Sequence, residues 1–189
     1  MTLALSAWNS GADIAARFEL ALHGLSALDL LVRQSIHSVS HTTLQNPLHG
    51  LHGMSSLEWE VERRSQEEYE ERAAVMQLYA AFEGLLRRDA EWRGLQPTAC
   101  FHQQFSSMAQ KVRKGKFVRL SEWLNCWQAT RAVQVAVLNQ LETTFRQDRN
   151  PLMHTNQVIV PPLLRVRQQL INAYSNLSQV ADDFGTCDE

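Results

Sequence analysis

The stretch AAVMQLYAAFEGLLRRD, residues 73–89, carries Val75, Leu78, Phe82 and Leu85 at steps of three and four. That spacing makes one face of a 3.6-residue helix apolar, and the polar pair Glu83/Arg87 has the i,i+4 spacing of helical neighbours. Upstream, Ser55 followed by Glu58 reads as a capping box, and Leu57 to about Arg93 is rich in helix formers without a proline. A long helix is therefore expected here. Its first half, EWEVERRSQEEYEER, is a charge run whose Glu60/Arg64 and Glu68/Arg72 pairs stabilise by only about 0.2–0.5 kcal/mol each. The buried half is the second one, and Gly94 with Pro97 is expected to end it.

The chain on either side has the same character. From Asp13 to Val39 the residues Ile14, Phe18, Leu22, Leu25, Val32, Ile36 and Val39 form the stripe of a first long helix. Between the two helices, Ser40 to Ser56 loses the pattern, and its Asn-Pro and glycines describe an exposed connection. After the second helix, Phe101, Phe105, Met108 and Val112 mark a shorter third one stopping near Gly115. Ser121 can cap a fourth, with Trp123, Trp127, Thr130, Val137, Leu141 and Phe145 inward until Asn150-Pro151 interrupts it. Pro161-Pro162 can open a last helix with the apolar face Leu163, Val166, Leu170, Tyr174, Leu177 and Ala181, before a frayed tail, DDFGTCDE. No alternating strand pattern of length occurs. The expectation is an all-α protein, an antiparallel bundle of four to five long helices forming a single domain over residues 1–189.

At 189 residues and 44% hydrophobic, the chain can bury one sizeable core. No run of about 18 apolar residues is present, and the first 30 residues lack the basic start and cleavage site of a signal peptide, so a soluble cytoplasmic protein with no membrane partner is expected. Cys100, Cys126 and Cys187 have no C-x-x-C spacing and read as reduced thiols. The net charge of −2 excludes a global basic field, but all three lysines, Lys111, Lys114 and Lys116, cluster with Arg113 and Arg119. Such a patch suits an RNA backbone, although Lys and Arg at a helix end also simply complement its dipole.

The residues most suggestive of chemistry lie in RQDRNPLMHTN, residues 146–156. Arg149 is a permanently charged fork that can bind two phosphate oxygens. His154, with a reference pKa near 6.5, can give or take a proton near neutrality, and Asn150 can orient either partner or cap a short turn begun by Pro151. Together they form a plausible kit for cleaving RNA through its own 2′-hydroxyl, chemistry that requires neither metal nor cofactor. The same residues also fit a structural role, with Arg149 paired to Asp148 or to a carboxylate such as Glu83, and Asn150 as a cap.

Arg149, Asn150 and His154, lying between one long helix and the last helix of a bundle, resemble the Arg-polar-x-x-x-His signature of the HEPN superfamily (higher eukaryotes and prokaryotes nucleotide-binding). LYAAFEGLLRRDAEWRG, residues 78–94, resembles the helix that precedes that motif in several bacterial groups. The resemblance implies a helical bundle that dimerises so that both motifs line one cleft and acts as a metal-independent endoribonuclease. Toxin or phage-defence roles, and a nucleotidyltransferase-type antitoxin as partner, follow from the same resemblance. By it Arg149 would hold the scissile phosphate, His154 would transfer protons and Asn150 would support the site. Thr155 stands where many members have glycine, and Pro151 sits inside the motif. Some members bind nucleotides or partners without cutting, so a catalytically inactive helical binding module is the alternative.

His37 and His41, with His49 and His52, have spacings that a metal site can use, but H-E-x-x-H is missing and a glycine-turn loop explains the run. Nucleophile-elbow and phosphate-cradling glycine motifs are also missing. Trp8, Trp59, Trp92, Trp123 and Trp127 are expected mainly in the core.

Overall fold

The computed structural model describes residues 4–37, 55–154, 159–181 and 184. The elements are α1 (Ala4–His37), α2 (Ser56–Leu95), α3 (His102–Arg113), α4 (Leu120–Thr130), α5 (Val135–Thr144), a π-helical segment (Phe145–Arg149), α6 (Asn150–His154) and α7 (Leu163–Val180). The fold is all-α, with no strand among the described residues. None of the helices searched is long and apolar enough to cross a membrane.

Helix α2, 40 residues long, is the axis against which α1, α3, α4, α6 and α7 pack. Its start is the capping box expected from the sequence: Glu58 N–H donates to Ser55 Oγ at 3.2 Å, and Ser55 N–H donates to the Glu58 carboxylate at 2.7 Å. Val75, Leu78, Tyr79, Phe82, Leu85 and Leu86 are buried, so the second half does carry the core. Helix α1 runs antiparallel to α2. Near one end Arg33 lies 3.4 Å from Glu60 and Trp59 Nε1 donates to Asp29 at 2.8 Å, while towards the other Phe18 shares a cleft with Glu71. Ile14 and Val32 are the buried members of the α1 stripe, whereas the side chains of Ile36 and Val39 lie outside the described residues.

Gly94 does not stop α2. The helix continues to Leu95, and Gln96 turns to an extended conformation just before Pro97. Gly94 is instead the crossing point with α3: a Cβ there would press into Ala109 and stand 2.7 Å from the Phe105 carbonyl oxygen. Without a side chain, α2 and α3 approach backbone to side chain, and bulkier residues would hold them apart. At the far end of α3, Gly115 adopts φ +72°, a left-handed turn that closes the helix as glycine allows.

The expected fourth helix is two helices. Thr130 Oγ1 donates to the Trp127 carbonyl at 2.7 Å and accepts from Ala132 N–H at 3.2 Å. Arg131 then takes φ 56°, and α5 starts afresh at Val135. The threonine hydroxyl offers the backbone a partner other than the next helical carbonyl, which ends α4 without any glycine or proline. Ser121 is not the cap either; α4 begins a residue earlier, with Arg119 N–H donating to Glu122 at 2.8 Å.

Proline 151 does not interrupt the helix. From Val135 to His154 the chain stays helical by widening to a π-turn over Phe145–Arg149, with Asn150 N–H donating to Phe145 C=O five residues back. The wider turn accommodates a residue that lacks an N–H. Asn150, at φ −64° and ψ −45°, is helical and therefore not in the extended conformation of an N-cap.

Helix α7 begins after Pro162, and Glu71 accepts its Leu163 N–H at 3.0 Å, satisfying one first-turn donor from α2. Leu163, Val166, Leu170 and Leu177 are buried as expected. Of the tail expected to fray, Phe184 alone is among the described residues, and it is fully buried, edge-on to Trp127 at 5.7 Å and 5.4 Å from Tyr174. Beneath this cluster lies a buried ion pair. Arg93 donates to both oxygens of Asp89, at 2.8 and 3.0 Å, and its guanidinium sits 5.1 Å from the Trp127 ring centroid. Both side chains are fully buried, and a further donation to the Cys100 carbonyl at 3.3 Å uses another Arg93 N–H. Trp59, Trp123 and Trp127 are core residues, closed to base stacking.

Candidate functional site

The π-turn fixes what the Arg149 segment presents. Phe145 is buried against Tyr79, ring edge to face at 5.4 Å, and Leu152 is buried about two turns later. Two α2 side chains hold the polar atoms between these anchors: Tyr79 donates to Asp148 at 3.4 Å, and Arg72 donates to the Leu152 carbonyl at 2.5 Å. Burial raises the Tyr79 phenol pKa, and the nearby Asp148 carboxylate raises it further, so this hydroxyl stays a donor. Arg72 supplies a partner to a carbonyl near the end of a helix, where such groups are otherwise orphaned.

Arg149 is partly exposed, at 29% of its side chain, and is already engaged. Its Nη2 lies 3.1 Å from Glu83 and its Nη1 donates to Asn150 Oδ1 at 3.1 Å. The other Glu83 oxygen accepts from Arg87 at 2.7 and 2.9 Å, and Arg87 in turn donates to the Val118 carbonyl at 2.6 Å and sits 5.4 Å from the Phe117 ring centroid. One carboxylate on α2 thus ties the α3–α4 connection to the π-segment.

These residues line an open cleft of about 450 Å³, within the roughly 300–1,000 Å³ of ordinary ligand clefts. Four guanidiniums, from Arg87, Arg119, Arg146 and Arg149, face it against two carboxylates, Glu83 and Glu142. Arg119 and Arg146 are exposed, and the charge of Arg119 also acts on the nearby Glu122 carboxylate. Such an excess of fixed cations, two already oriented by a shared carboxylate, is suited to an anion with several oxygens. On the other side of Arg149, a second cleft of about 510 Å³ is more apolar, lined by Tyr69, Ala73, Met76 and Ala80.

Of the residues expected to act, Arg149 and Asn150 open on the cleft, and Arg119 from the basic run joins them there. His154 ends α6, four positions after Asn150, and its side chain lies outside the described residues. Lys111 pairs with Glu122 at 3.4 Å, while Arg113, Lys114 and Lys116 are exposed but do not line the cleft. The side chain of His37, and residues His41, His49 and His52, lie outside the described residues. Phe117 and Arg146 match no site motif in the sequence, and Arg87 stands out there only as the i,i+4 partner of Glu83. The one local signal for Phe117 is an aromatic set inside a basic run, KGKFVR. Comparison with protein-family models, characterised proteins and solved structures gives no match for this chain.

Proposed function

We propose that the chain is a cytoplasmic, metal-independent endoribonuclease of toxin or defence type, working as a homodimer, in which Arg149 binds the scissile phosphate and His154 moves protons. The observation that carries this reading is that Arg149 and Asn150 share a cleft with Arg119 and Arg146, where guanidiniums outnumber carboxylates two to one. A phosphodiester is the anion such a fork would hold. In the reaction the RNA 2′-hydroxyl loses its proton and attacks the adjacent phosphorus. The bond to the 5′-oxygen breaks, that oxygen takes up a proton, and a 2′,3′-cyclic phosphate remains. His154 serves the proton transfers, and in a dimer two copies would supply one histidine for each. Asn150, holding Arg149 through its side-chain oxygen, is a positioning residue.

The test is RNA cleavage by purified protein in EDTA, beside His154→Ala and Arg149→Ala, with growth and RNA integrity followed in a bacterial host. Wild type should cleave and leave cyclic phosphate ends, and loss of His154 should slow the reaction by about 10²–10⁴-fold. Equal cleavage by all three proteins, or none by wild type freed of any nucleotidyltransferase-type antitoxin, would overturn the reading.

The second reading is a catalytically inactive helical module that binds a nucleotide or a partner. It is favoured by the Glu83–Arg149 ion pair, which occupies part of the fork a phosphate would use. Under it, alanine at His154 leaves function intact.

A further inference from the structure

We propose that Phe117 is a stacking platform for an unpaired base of RNA held in the cleft, which makes single-stranded RNA the substrate class. The inference rests on the reading of the cleft as an RNA site and adds what kind of RNA enters it.

Phe117 is 79% exposed, and the next most exposed aromatic among the described residues is Tyr69 at 65%. Leaving a phenylalanine so open gives nothing to the core, since the favourable transfer of its ring from water is forgone. The ring is nevertheless held. Arg87 lies over it at 5.4 Å from the centroid, and Arg87 is itself tied on three N–H groups by Glu83 and the Val118 carbonyl. A guanidinium on one side leaves the opposite face of the ring for a second planar group. The cleft also supplies what the rest of a nucleotide needs, because Arg119, two residues on, and Arg146 and Arg149 across the opening are cations for its phosphates.

Aromatic faces that stack bases next to cations that track the backbone are the general means of holding single strands. A duplex cannot use this arrangement. Its bases are already paired and stacked, and side chains reach A-form RNA mainly through phosphates and 2′-hydroxyls. Phe117 would therefore contribute to single-strand affinity and not to duplex affinity, whereas the arginines would contribute to both.

The experiment measures binding of a short single-stranded 2′-O-methyl oligoribonucleotide, which lacks the attacking hydroxyl, and of the same strand annealed to its complement. Wild type is compared with Phe117→Ala, Phe117→Trp and Arg149→Ala. Phe117→Ala should weaken single-strand binding about tenfold and leave duplex binding unchanged, Phe117→Trp should restore it, and Arg149→Ala should weaken both. If Arg149→Ala weakens binding while Phe117→Ala changes nothing, or changes single strand and duplex alike, the stacking proposal fails and the RNA site stands. If Arg149→Ala and Phe117→Ala both bind as wild type does, the cleft is not the RNA site and both ideas fail. Because the Phe117 side chain is exposed, its replacement should leave the thermal unfolding curve in place, which checks that folding is not the cause.

Discussion

Among the acid–arginine pairs of i,i+4 spacing on helix α2, Glu83/Arg87 and Asp89/Arg93 are used in opposite ways. Asp89 and Arg93 are sealed, with neither side chain exposed, beneath Trp127 and the turn that leads into α3. Glu83 and Arg87 retain 14% and 30% of their side-chain exposure on the cleft, and Glu83 shares its carboxylate with a third guanidinium, Arg149. Six residues along a helix turn a side chain by roughly 240°, so one pair faces the core and the other faces solvent. The same chemistry thus fixes a fold on one face and holds cations ready on the other. Burial, not the pairing, makes the difference.

That contrast can be broken by single substitutions. The largest effect is expected for Asp89→Ala, which strands Arg93 without its carboxylate in the core and should cost about 3–5 kcal/mol in urea unfolding. Replacing both partners, as Asp89→Leu with Arg93→Met, should cost less than that single change, because no buried charge is left unpaired. Glu83→Gln should cost no more than about 0.2–1 kcal/mol, since its pair is partly solvated. The same change should tighten RNA binding at low salt, because it removes a negative charge from the cleft. Equal destabilisation by Asp89→Ala and Glu83→Gln would show that the two pairs do not differ in kind.

The smallest effect is a pH dependence from carboxylates outside both pairs. Arg33 beside Asp29, the Ser55 N–H on Glu58, Arg63 beside Glu60 and the Arg119 N–H on Glu122 each hold a carboxyl below its ordinary value. Groups depressed in the folded state stabilise it above their unfolded pKa, near 4, and lose that contribution as pH falls through the folded value. Thermal unfolding should be steady from neutrality to about pH 5 and fall below about pH 4. Glu58→Gln should make the fall shallower; an unchanged profile would remove the capping box as a contributor.

The architecture was readable where a local rule carried it. Ser55/Glu58 and the stripe through Val75, Leu78, Phe82 and Leu85 needed no tertiary knowledge, and both are present in the structure. The break after Thr130 was not readable, because it comes from a side-chain hydroxyl bonding its own backbone at a site with no glycine or proline. Gly94 and Pro151 have roles that a rule for isolated helices does not show: close packing against α3 sets the first, and the π-turn ahead of it absorbs the second. Phe184 was hidden by a polar tail whose composition outweighs one aromatic. In the cleft, Glu83 is a partner for Arg149 that the sequence offers, but the meeting of Arg119 with Arg149 depends on how α4 and the π-segment lie across α2. Nothing in the spacing of residues 30 positions apart encodes that.

The π-turn at Phe145–Arg149 gives this region the properties of a one-residue insertion carried inside a helix. Deleting a single residue there, for example Gln147, would let the segment relax to an ordinary α-helix. The Asn150 N–H would then meet the Phe145 carbonyl as an ordinary bond four residues back, and the faces downstream would stay where they are. What would be lost is the widened turn that carries Arg146 and Arg149 onto the cleft, and Pro151 would be set against a carbonyl it cannot serve. The length of this segment, as much as the identity of its side chains, is therefore part of the specification of the cleft.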